Sequence, residues 1–205
     1  MLTGELMTSA TITDRLVALS KSLIGRVRGG LAQVNVLVSM FFAGMNGSVV
    51  ADTATVGALV LPAMKKAGYP AAFSAAVTGV SSTIGGIIPP SIMMIVLANS
   101  TEISIAALFA AGIIPGVLIG IVIMVINHYF AIKYNFERSD QPFSVRRAGK
   151  ELYRSSFALL IPLVLVGSVM GGVASVVEAG AITAMVALFT GVFVYRTIKW
   201  KDCTG

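Results

Sequence analysis

Residues 44–53 read Gly-Met-Asn-Gly-Ser-Val-Val-Ala-Asp-Thr, and they lie in the middle of an apolar run from Gly30 to Met64. Two glycines, an amide, a hydroxyl and a carboxylate make an unsuitable surface for lipid, because polar groups in hydrocarbon are costly unless they meet partners. Irregular polar backbone at membrane depth persists only where protein or a water-filled cavity surrounds it. The stretch therefore indicates a buried site, provided that the chain lies in a membrane.

The composition indicates a membrane protein. Of the 205 residues, 56% are hydrophobic and only 12% are charged, whereas a soluble domain carries roughly 25% charged residues. Apolar runs of about the length that crosses a bilayer, some 20 residues, recur along the chain. Alternating ten-residue strands, which are typical of outer-membrane barrels, are not found. The sequence predicts an all-α polytopic membrane protein.

The basic residues report on topology. All 15 Lys and Arg fall into four clusters, at 15–28, 65–66, 133–154 and 196–201, and the segments between them contain none. Positive residues in short loops mark the cytoplasmic side of a membrane. This distribution explains the net charge of +6 without a nucleic-acid surface, and no nucleic-acid partner is predicted.

The run 30–64 predicts a helical hairpin. One straight helix of this length would measure about 50 Å against a hydrocarbon core of about 30 Å. Two full crossings would need about 40 residues, which is more than the run supplies. Because both flanks carry the cytoplasmic signature, we interpret the run as a re-entrant hairpin that turns within the membrane near 44–47. One long tilted span is the alternative.

The next segment, 70–98, predicts a broken transmembrane helix. Its residues 81–91 read Ser-Ser-Thr-Ile-Gly-Gly-Ile-Ile-Pro-Pro-Ser, and paired glycines and prolines remove hydrogen-bond donors and interrupt a helix. A simple proline kink is the alternative to an unwound crossing. Discontinuous helices at mid-depth are the best sequence indication of a transporter's substrate and ion sites.

The remaining segments complete the predicted topology. Residues 1–29 form the end of a preceding span and a basic amphipathic helix in the cytoplasmic interface. The other predicted segments are transmembrane helices at 105–131, 156–176 and 179–195, a basic cytoplasmic connection at 132–155 and a cytoplasmic tail at 196–205.

Catalytic motifs are missing from the sequence. It contains no HExxH, no GxSxG, no paired cysteines and no glycine-rich phosphate loop, so neither an enzyme nor a bound cofactor is predicted. A channel remains open as an alternative, because hairpins also line pores. Asp52 is the only carboxylate between Asp14 and Glu102, and it could complete an ion site, take a proton or cap a hairpin arm. Asn46 and Ser48 could likewise be helix caps.

An ordered set of short motifs resembles the large membrane subunit of the tripartite ATP-independent periplasmic (TRAP) transporters. The set covers residues 1–135 closely and extends more loosely to 195. It consists of GELM at 4–7, GRVRGGLA at 25–32, AGMNGS at 43–48, ADT at 51–53, PAM at 62–64, GY at 68–69, SSTIG at 81–85, IIPPS at 87–91, ALF at 107–109 and GIIPG at 112–116.

The resemblance implies a multi-pass secondary transporter of the bacterial inner membrane, driven by Na⁺ and working by an elevator-type motion. In that family a periplasmic substrate-binding protein delivers an organic acid, such as a C4-dicarboxylate or sialic acid, and a small membrane subunit braces the scaffold. Two inverted repeats, each with a hairpin and a broken helix, build the site. Only one hairpin and one broken helix are found here, so the chain is expected to be part of a longer subunit.

The resemblance also implies a set of site residues. Backbone around Gly85, Ile88 and Pro90, together with the tip at Asn46, would hold one Na⁺. The family usually has Ser where Asn46 stands, and only the Glu-Ala core of its last turn motif remains at 174–179. The full set expected to bind substrate or ion is Asn46, Gly47, Ser48, Asp52, Ser81, Ser82, Thr83, Gly85, Ile88, Pro90 and Ser91.

Three alternatives to this function remain. The chain could be a carboxylate or cation carrier that works without a binding protein, a channel-like membrane protein, or an inactive truncated product. Saturable, Na⁺-coupled uptake would separate a carrier from a channel.

Overall fold

The computed structural model describes residues 12–25, 27–136 and 144–189, and this part of the chain is built from α-helices and one 3₁₀ turn. The all-α class predicted from the composition is confirmed. The predictions for residues 1–11, for 137–143 of the connection, for 190–195 of the last helix and for the tail at 196–205 lie outside the described residues. The elements in order are α1 (Ile12–Ile24), α2 (Gly30–Asn46), α3 (Val49–Lys66), α4 (Ala71–Ser82), the 3₁₀ turn (Thr83–Gly86), α5 (Ile92–Thr101), α6 (Ile105–Lys133), α7 (Val145–Met170) and α8 (Val176–Phe189).

Helices α2 and α3 form an antiparallel pair joined by two residues. Gly47 ends α2 with a left-handed φ of 59°, and its N–H donates to the carbonyl of Ala43, an ending that glycine adopts without steric cost. Ser48 begins α3 by accepting a hydrogen bond from Ala51 N–H at 3.4 Å. The turn therefore lies at 47–48, at the end of the range expected from the sequence, and Gly44 stays inside α2.

Both ends of this pair lie at the same end of α6. Gly29, just before α2, lies against Ala131 near the end of α6. Tyr69, just after α3, packs against Phe136 in a tilted arrangement with ring centroids 4.5 Å apart. Both ends of the pair therefore lie at the Lys133 end of the molecule, and its tip lies away from that end.

Helix α2 is the centre of the packing. It contacts α1, α3, α4, α6, α7 and the 3₁₀ turn, and Val36, Val38 and Ala43 along it are completely buried. An apolar helix with neighbours on every side belongs to the interior of a protein. Its few polar residues must consequently find partners within the protein.

The helix that follows the hairpin is interrupted. α4 ends at Ser82, the 3₁₀ turn continues to Gly86, and α5 begins only at Ile92. The peptide bond between Pro89 and Pro90 is cis. The side chain of Ser91 links the 3₁₀ turn to the start of α5. Its Oγ donates to the Gly86 carbonyl at 2.7 Å and accepts from Met94 N–H at 3.4 Å. We call residues 83–91 the break.

Among the described residues, one helix, α6 (Ile105–Lys133), is long and apolar enough by itself to cross a bilayer. Large apolar side chains such as Ile114 and Val125 are exposed along it. Helix α7 begins at Val145, so part of the predicted connection at 132–155 is already helical. Helices α7 and α8 pack on each other, and Val169 and Ala179 on them form a small second core with Phe109 of α6.

Candidate functional site

The hairpin tip touches the break directly. Ile92 N–H donates to the Gly47 carbonyl at 3.2 Å. A side chain at Gly47 would collide with the carbonyl oxygen of Pro90, so the two backbones approach as closely as glycine permits. The structure therefore brings together two polar stretches that are about 40 residues apart in sequence.

A second contact joins the start of α3 to the 3₁₀ turn. A Cβ added to Gly85 would lie 3.8 Å from the Cβ of Asp52 and 3.8 Å from the carbonyl oxygen of Ser48. The first turn of α3 therefore packs against the break at Gly85 at ordinary van der Waals distance. The helix-starting end of α3 carries partial positive charge, and it faces this junction.

Helix α6 supports the break from behind with two of its glycines. Gly112 lies against the carbonyl oxygen of Ile87, and Gly116 lies against the side chain of Ile88. Gly116 is three residues from Ile119, the midpoint of α6, or roughly 5 Å along the helix at 1.5 Å per residue. The junction of tip and break therefore lies well inside the thickness of a bilayer core of about 30 Å if α6 spans it.

Asp52 is the most unusual residue of the junction. Its side chain is completely buried, and neither carboxylate oxygen has a hydrogen-bond partner among the described residues. The side chains of Ser82 and Ser39 lie beside the carboxylate but do not complete hydrogen bonds to it. Asp52 is not a helix cap, because Ser48 fills that position.

A ladder of hydrogen bonds between α2 and α4 leads away from Asp52. We define the polar ladder as Ser39, Ser81, Asn35 and Thr78, all of which are buried. Ser39 Oγ and Ser81 Oγ are 3.2 Å apart, Ser81 Oγ is 3.2 Å from Asn35 Oδ1, and Asn35 Nδ2 donates to Thr78 Oγ1 at 2.7 Å. Sequence reasoning missed Asn35 and Ser39, although their i, i+4 spacing places them on one face of α2.

Other predicted site residues have local structural roles. Asn46 Oδ1 accepts from Ser48 N–H at 3.2 Å, and both residues therefore contribute to the ends of the hairpin arms, as the helix-cap alternative stated. Thr83 is exposed and donates to the Val80 carbonyl at 2.7 Å, so its hydroxyl belongs to its own helix. Ser91 braces the break, as described above.

The donors at the junction suit a monovalent cation. Among the described residues no group of three or more His, Cys, Asp or Glu could hold a metal ion. The junction instead offers one carboxylate together with hydroxyl and carbonyl oxygens. Oxygen ligands of low total charge fit Na⁺ better than a transition metal, which favours nitrogen and sulfur.

Comparison with known proteins places these features in a family. A family model described as "Tripartite ATP-independent periplasmic transporter, DctM component" matches residues 1–205. The chain is 37% identical over 198 residues to the sialic acid TRAP transporter large permease protein SiaM of Vibrio cholerae, a match that covers 97% of this chain and 46% of the relative.

Two further relatives carry different substrate names. The C4-dicarboxylate TRAP transporter large permease protein DctM of Pseudomonas aeruginosa is 34% identical over 99% of this chain and 47% of its own length. The 2,3-diketo-L-gulonate TRAP transporter large permease protein YiaN of Escherichia coli is 37% identical over 98% of this chain and 47% of its own length. The chain spans about half the length of the curated relatives it matches.

Proposed function

The chain belongs to the DctM-component family of the tripartite ATP-independent periplasmic transporters, and we propose that it contributes one half of the site of a carrier that takes up an organic acid together with Na⁺. Members of this family are transporter permeases, so the chain is a transporter component and not an enzyme.

One observation carries the proposal, which is the junction of hairpin tip and break around Asp52. A carrier must bind its ion and substrate inside the membrane, and interrupted helices supply free backbone groups for such a site. Gly47 allows the close approach of the two elements. Gly85, Ile88, Pro90 and Asn46 remain the proposed surroundings of the Na⁺ ion.

The proposed substrate is a carboxylate. Sialic acid, C4-dicarboxylates and 2,3-diketo-L-gulonate, which appear in the names of the three relatives, are all organic acids. The positive end of the α3 helix dipole, which faces the junction, would favour a carboxylate group there. Which acid the carrier transports is a property of the whole transporter.

The proposed partners follow from the tripartite description of the family. We propose that a periplasmic binding protein delivers the acid and that a small membrane subunit packs against the carrier. The exposed apolar side chains of α6 suit a lipid bilayer or another membrane helix. The proposed location is the bacterial inner membrane, with the hairpin entering from the cytoplasmic side and moving in an elevator-type transition.

The experiment is uptake by the complete transporter in proteoliposomes under an inward Na⁺ gradient. Asp52→Ala should reduce uptake of the transported acid to background, because it removes the buried carboxylate of the junction. Glu102→Ala is the matched control, since it removes an exposed carboxylate from the loop before α6, and its uptake should stay unchanged.

Two outcomes would contradict the proposal. Undiminished uptake by Asp52→Ala, at equal amounts of protein in the membrane, would remove the junction from the transport site. Uptake that does not saturate with substrate, or that does not depend on the Na⁺ gradient, would favour a channel-like protein or a carrier with another driving force.

A further inference from the structure

Helices α2 and α6 lie antiparallel and keep one register along their contact. Gly29, just before α2, lies against Ala131 of α6, and Met40 of α2 lies against Gly120 of α6. The contact therefore advances from 29 to 40 on α2 while it runs back from 131 to 120 on α6, which is 11 residues on each helix. Every position between these two contacts consequently has a predictable partner on the other helix.

The register places Gln33 opposite Asn127. Gln33 comes four residues after Gly29, and Asn127 comes four residues before Ala131. The side chain of Gln33 does reach this part of α6, because its Nε2 donates to the Met124 carbonyl at 2.8 Å. The carbonyl oxygen of Asn127 lies 3.9 Å from a Cβ added to Gly29, so the turn of α6 that carries Asn127 also faces the start of α2.

Each of these two side chains keeps one polar atom without a partner. Gln33 is only 6% exposed and Asn127 only 4%, yet Gln33 Oε1 and Asn127 Nδ2 have no hydrogen bond in the part of the chain that the structure describes. The first atom is an acceptor and the second is a donor. The Gln33 amide cannot be turned over, because its oxygen would then face the oxygen of the Met124 carbonyl. The two unpaired atoms therefore complement each other across the interface.

Unpaired polar atoms are costly between helices of a membrane protein, since lipid offers them no hydrogen bond. A buried water typically bonds to two to four polar groups that would otherwise lack partners. We propose that one water molecule joins Gln33 Oε1 to Asn127 Nδ2, and that this bridge fixes the register of α2 against α6. The water donates to the Gln33 oxygen and accepts from the Asn127 amide.

The register matters because α6 also holds the break. Gly112 and Gly116 of α6 lie against the break, and Gly47 at the tip of α2 accepts from Ile92 N–H at 3.2 Å. A slip of α2 by one helical turn would move the tip by about 5.4 Å relative to the break. Apolar side chains pack in more than one register, whereas a single buried polar pair can select one. The bridge needs neither ion nor substrate, so it stands independently of the proposed function.

The water itself is tested in the wild-type protein. A cryo-EM map of the complete transporter that contains this chain, at a resolution that shows ordered water, should contain one water peak within hydrogen-bond distance of Gln33 Oε1 and Asn127 Nδ2. A map in which the two amides bond directly to each other would overturn the water bridge. So would a map in which they lie too far apart for one water to reach both.

A double-mutant cycle tests whether the two amides act as a pair. Gln33→Leu and Asn127→Leu should each lower the thermal unfolding midpoint of the complete transporter by about 2–4 °C, because each leaves the other amide buried without its bridge. The variant with both substitutions should be no less stable than the weaker single variant, since no unpaired amide remains. Losses that simply add would mean that the two side chains do not act together.

Thr183→Val supplies the matched control. Thr183 is buried on α8, and its hydroxyl donates to the Ala179 carbonyl of its own helix at 2.6 Å. Its substitution removes a buried polar group from a helix that packs on α7. Combined with Gln33→Leu, its effect on the unfolding midpoint should add.

Amide exchange at Ile92 separates positioning from stability. Both single variants should exchange the Ile92 amide hydrogen several-fold faster than the wild type, because a shifted tip no longer accepts it. The variant with both substitutions should also exchange it fast, although its stability has recovered, since two leucines do not select one register. Thr183→Val should leave this exchange unchanged. Wild-type exchange at Ile92 in the variant with both substitutions would show that the pair stabilises the interface without setting the position of the tip.

Discussion

Gly47 combines two properties at a single residue. Its φ of 59° lies in the left-handed region, where a side chain costs about 1–2 kcal/mol. It also faces the Pro90 carbonyl so closely that a Cβ has no room. The first property ends α2, and the second sets the distance between hairpin tip and break.

The two properties can be separated by comparing two glycines. Gly68 has a similar left-handed φ of 78° but has nothing within 4 Å of an added Cβ. Gly68→Ala should therefore lower the free energy of unfolding by only about 1 kcal/mol. Gly47→Ala should cost about 1–3 kcal/mol more, which is the usual penalty for overfilling a packed site, and should strongly reduce uptake by displacing the tip. Unfolding in denaturant and proteoliposome uptake measure the two effects.

Equal losses of stability in the two variants would mean that the tip moves away from Pro90 without cost. Normal uptake by Gly47→Ala would show that close contact between tip and break is not needed for transport. Either result would contradict the role assigned here to the junction.

The arrangement of the α2–α3 pair predicts how the chain is oriented in the membrane. Its two ends lie at the Lys133 end of α6, whereas the loop between α5 and α6 lies at the other end. In the complete transporter with all native cysteines, including Cys203, replaced by serine, single cysteines at Lys21 and Lys66 should react with an impermeant thiol reagent from the cytoplasmic side. A cysteine at Ser100 should react from the opposite side. Reaction of Lys21→Cys and Lys66→Cys from opposite sides would replace the hairpin with a single crossing.

The sequence predicted the elements better than their contacts. Paired glycines and prolines at 81–91 change the backbone whatever surrounds them, so an interruption could be located from local chemistry, and it occupies residues 83–91 in the structure. The role of Ser39 could not be located in this way, because a serine in an apolar helix is common and only the neighbouring α4 reveals its partners.

Contacts with distant residues also explain why the polar residues of the hairpin tip have different roles. From the sequence, Asn46, Ser48 and Asp52 could each cap a helix or bind a ligand, and Asp52 was the only carboxylate among them. The structure uses Asn46 and Ser48 in local hydrogen bonds and leaves the carboxylate of Asp52 unpaired among the described residues. Asp52 lies against Gly85 and beside Ser82, which come 30 or more residues later in the chain.

A cluster of aromatic rings packs together at the Lys133 end of the molecule. We define the aromatic cluster as Tyr69, Phe73, Phe130 and Phe136, which join the corner between α3 and α4 to the end of α6. The centroid of the Phe136 ring is 4.5 Å from that of Tyr69 and 5.1 Å from that of Phe73, and Phe73 lies 6.1 Å from Phe130. These separations are typical of favourable aromatic pairs.

The aromatic cluster and the glycine contacts of α6 act at opposite ends of the hairpin. The aromatic cluster fixes the base of the hairpin to the end of α6. The glycine contacts of α6 fix the break, which the hairpin tip contacts. An elevator-type motion requires the site and its supporting helices to move as one body, since a hinge at either contact would open the junction. We therefore expect the hairpin, the break and α6 to form a single mechanical unit.

Phe136→Ala tests this unit at its base. Phe136 is half-buried and touches both Tyr69 and Phe73, so its loss should lower the free energy of unfolding by about 2 kcal/mol, somewhat less than for a fully buried phenylalanine. Tyr129→Ala is the control, because that ring is 63% exposed and should cost less than about 0.5 kcal/mol. If the base holds the unit together, hydrogen exchange of amides at the distant tip should also rise in Phe136→Ala and not in Tyr129→Ala. Faster exchange confined to the base would instead mean that the tip is held by the break alone, and the hairpin would then be free to hinge during transport.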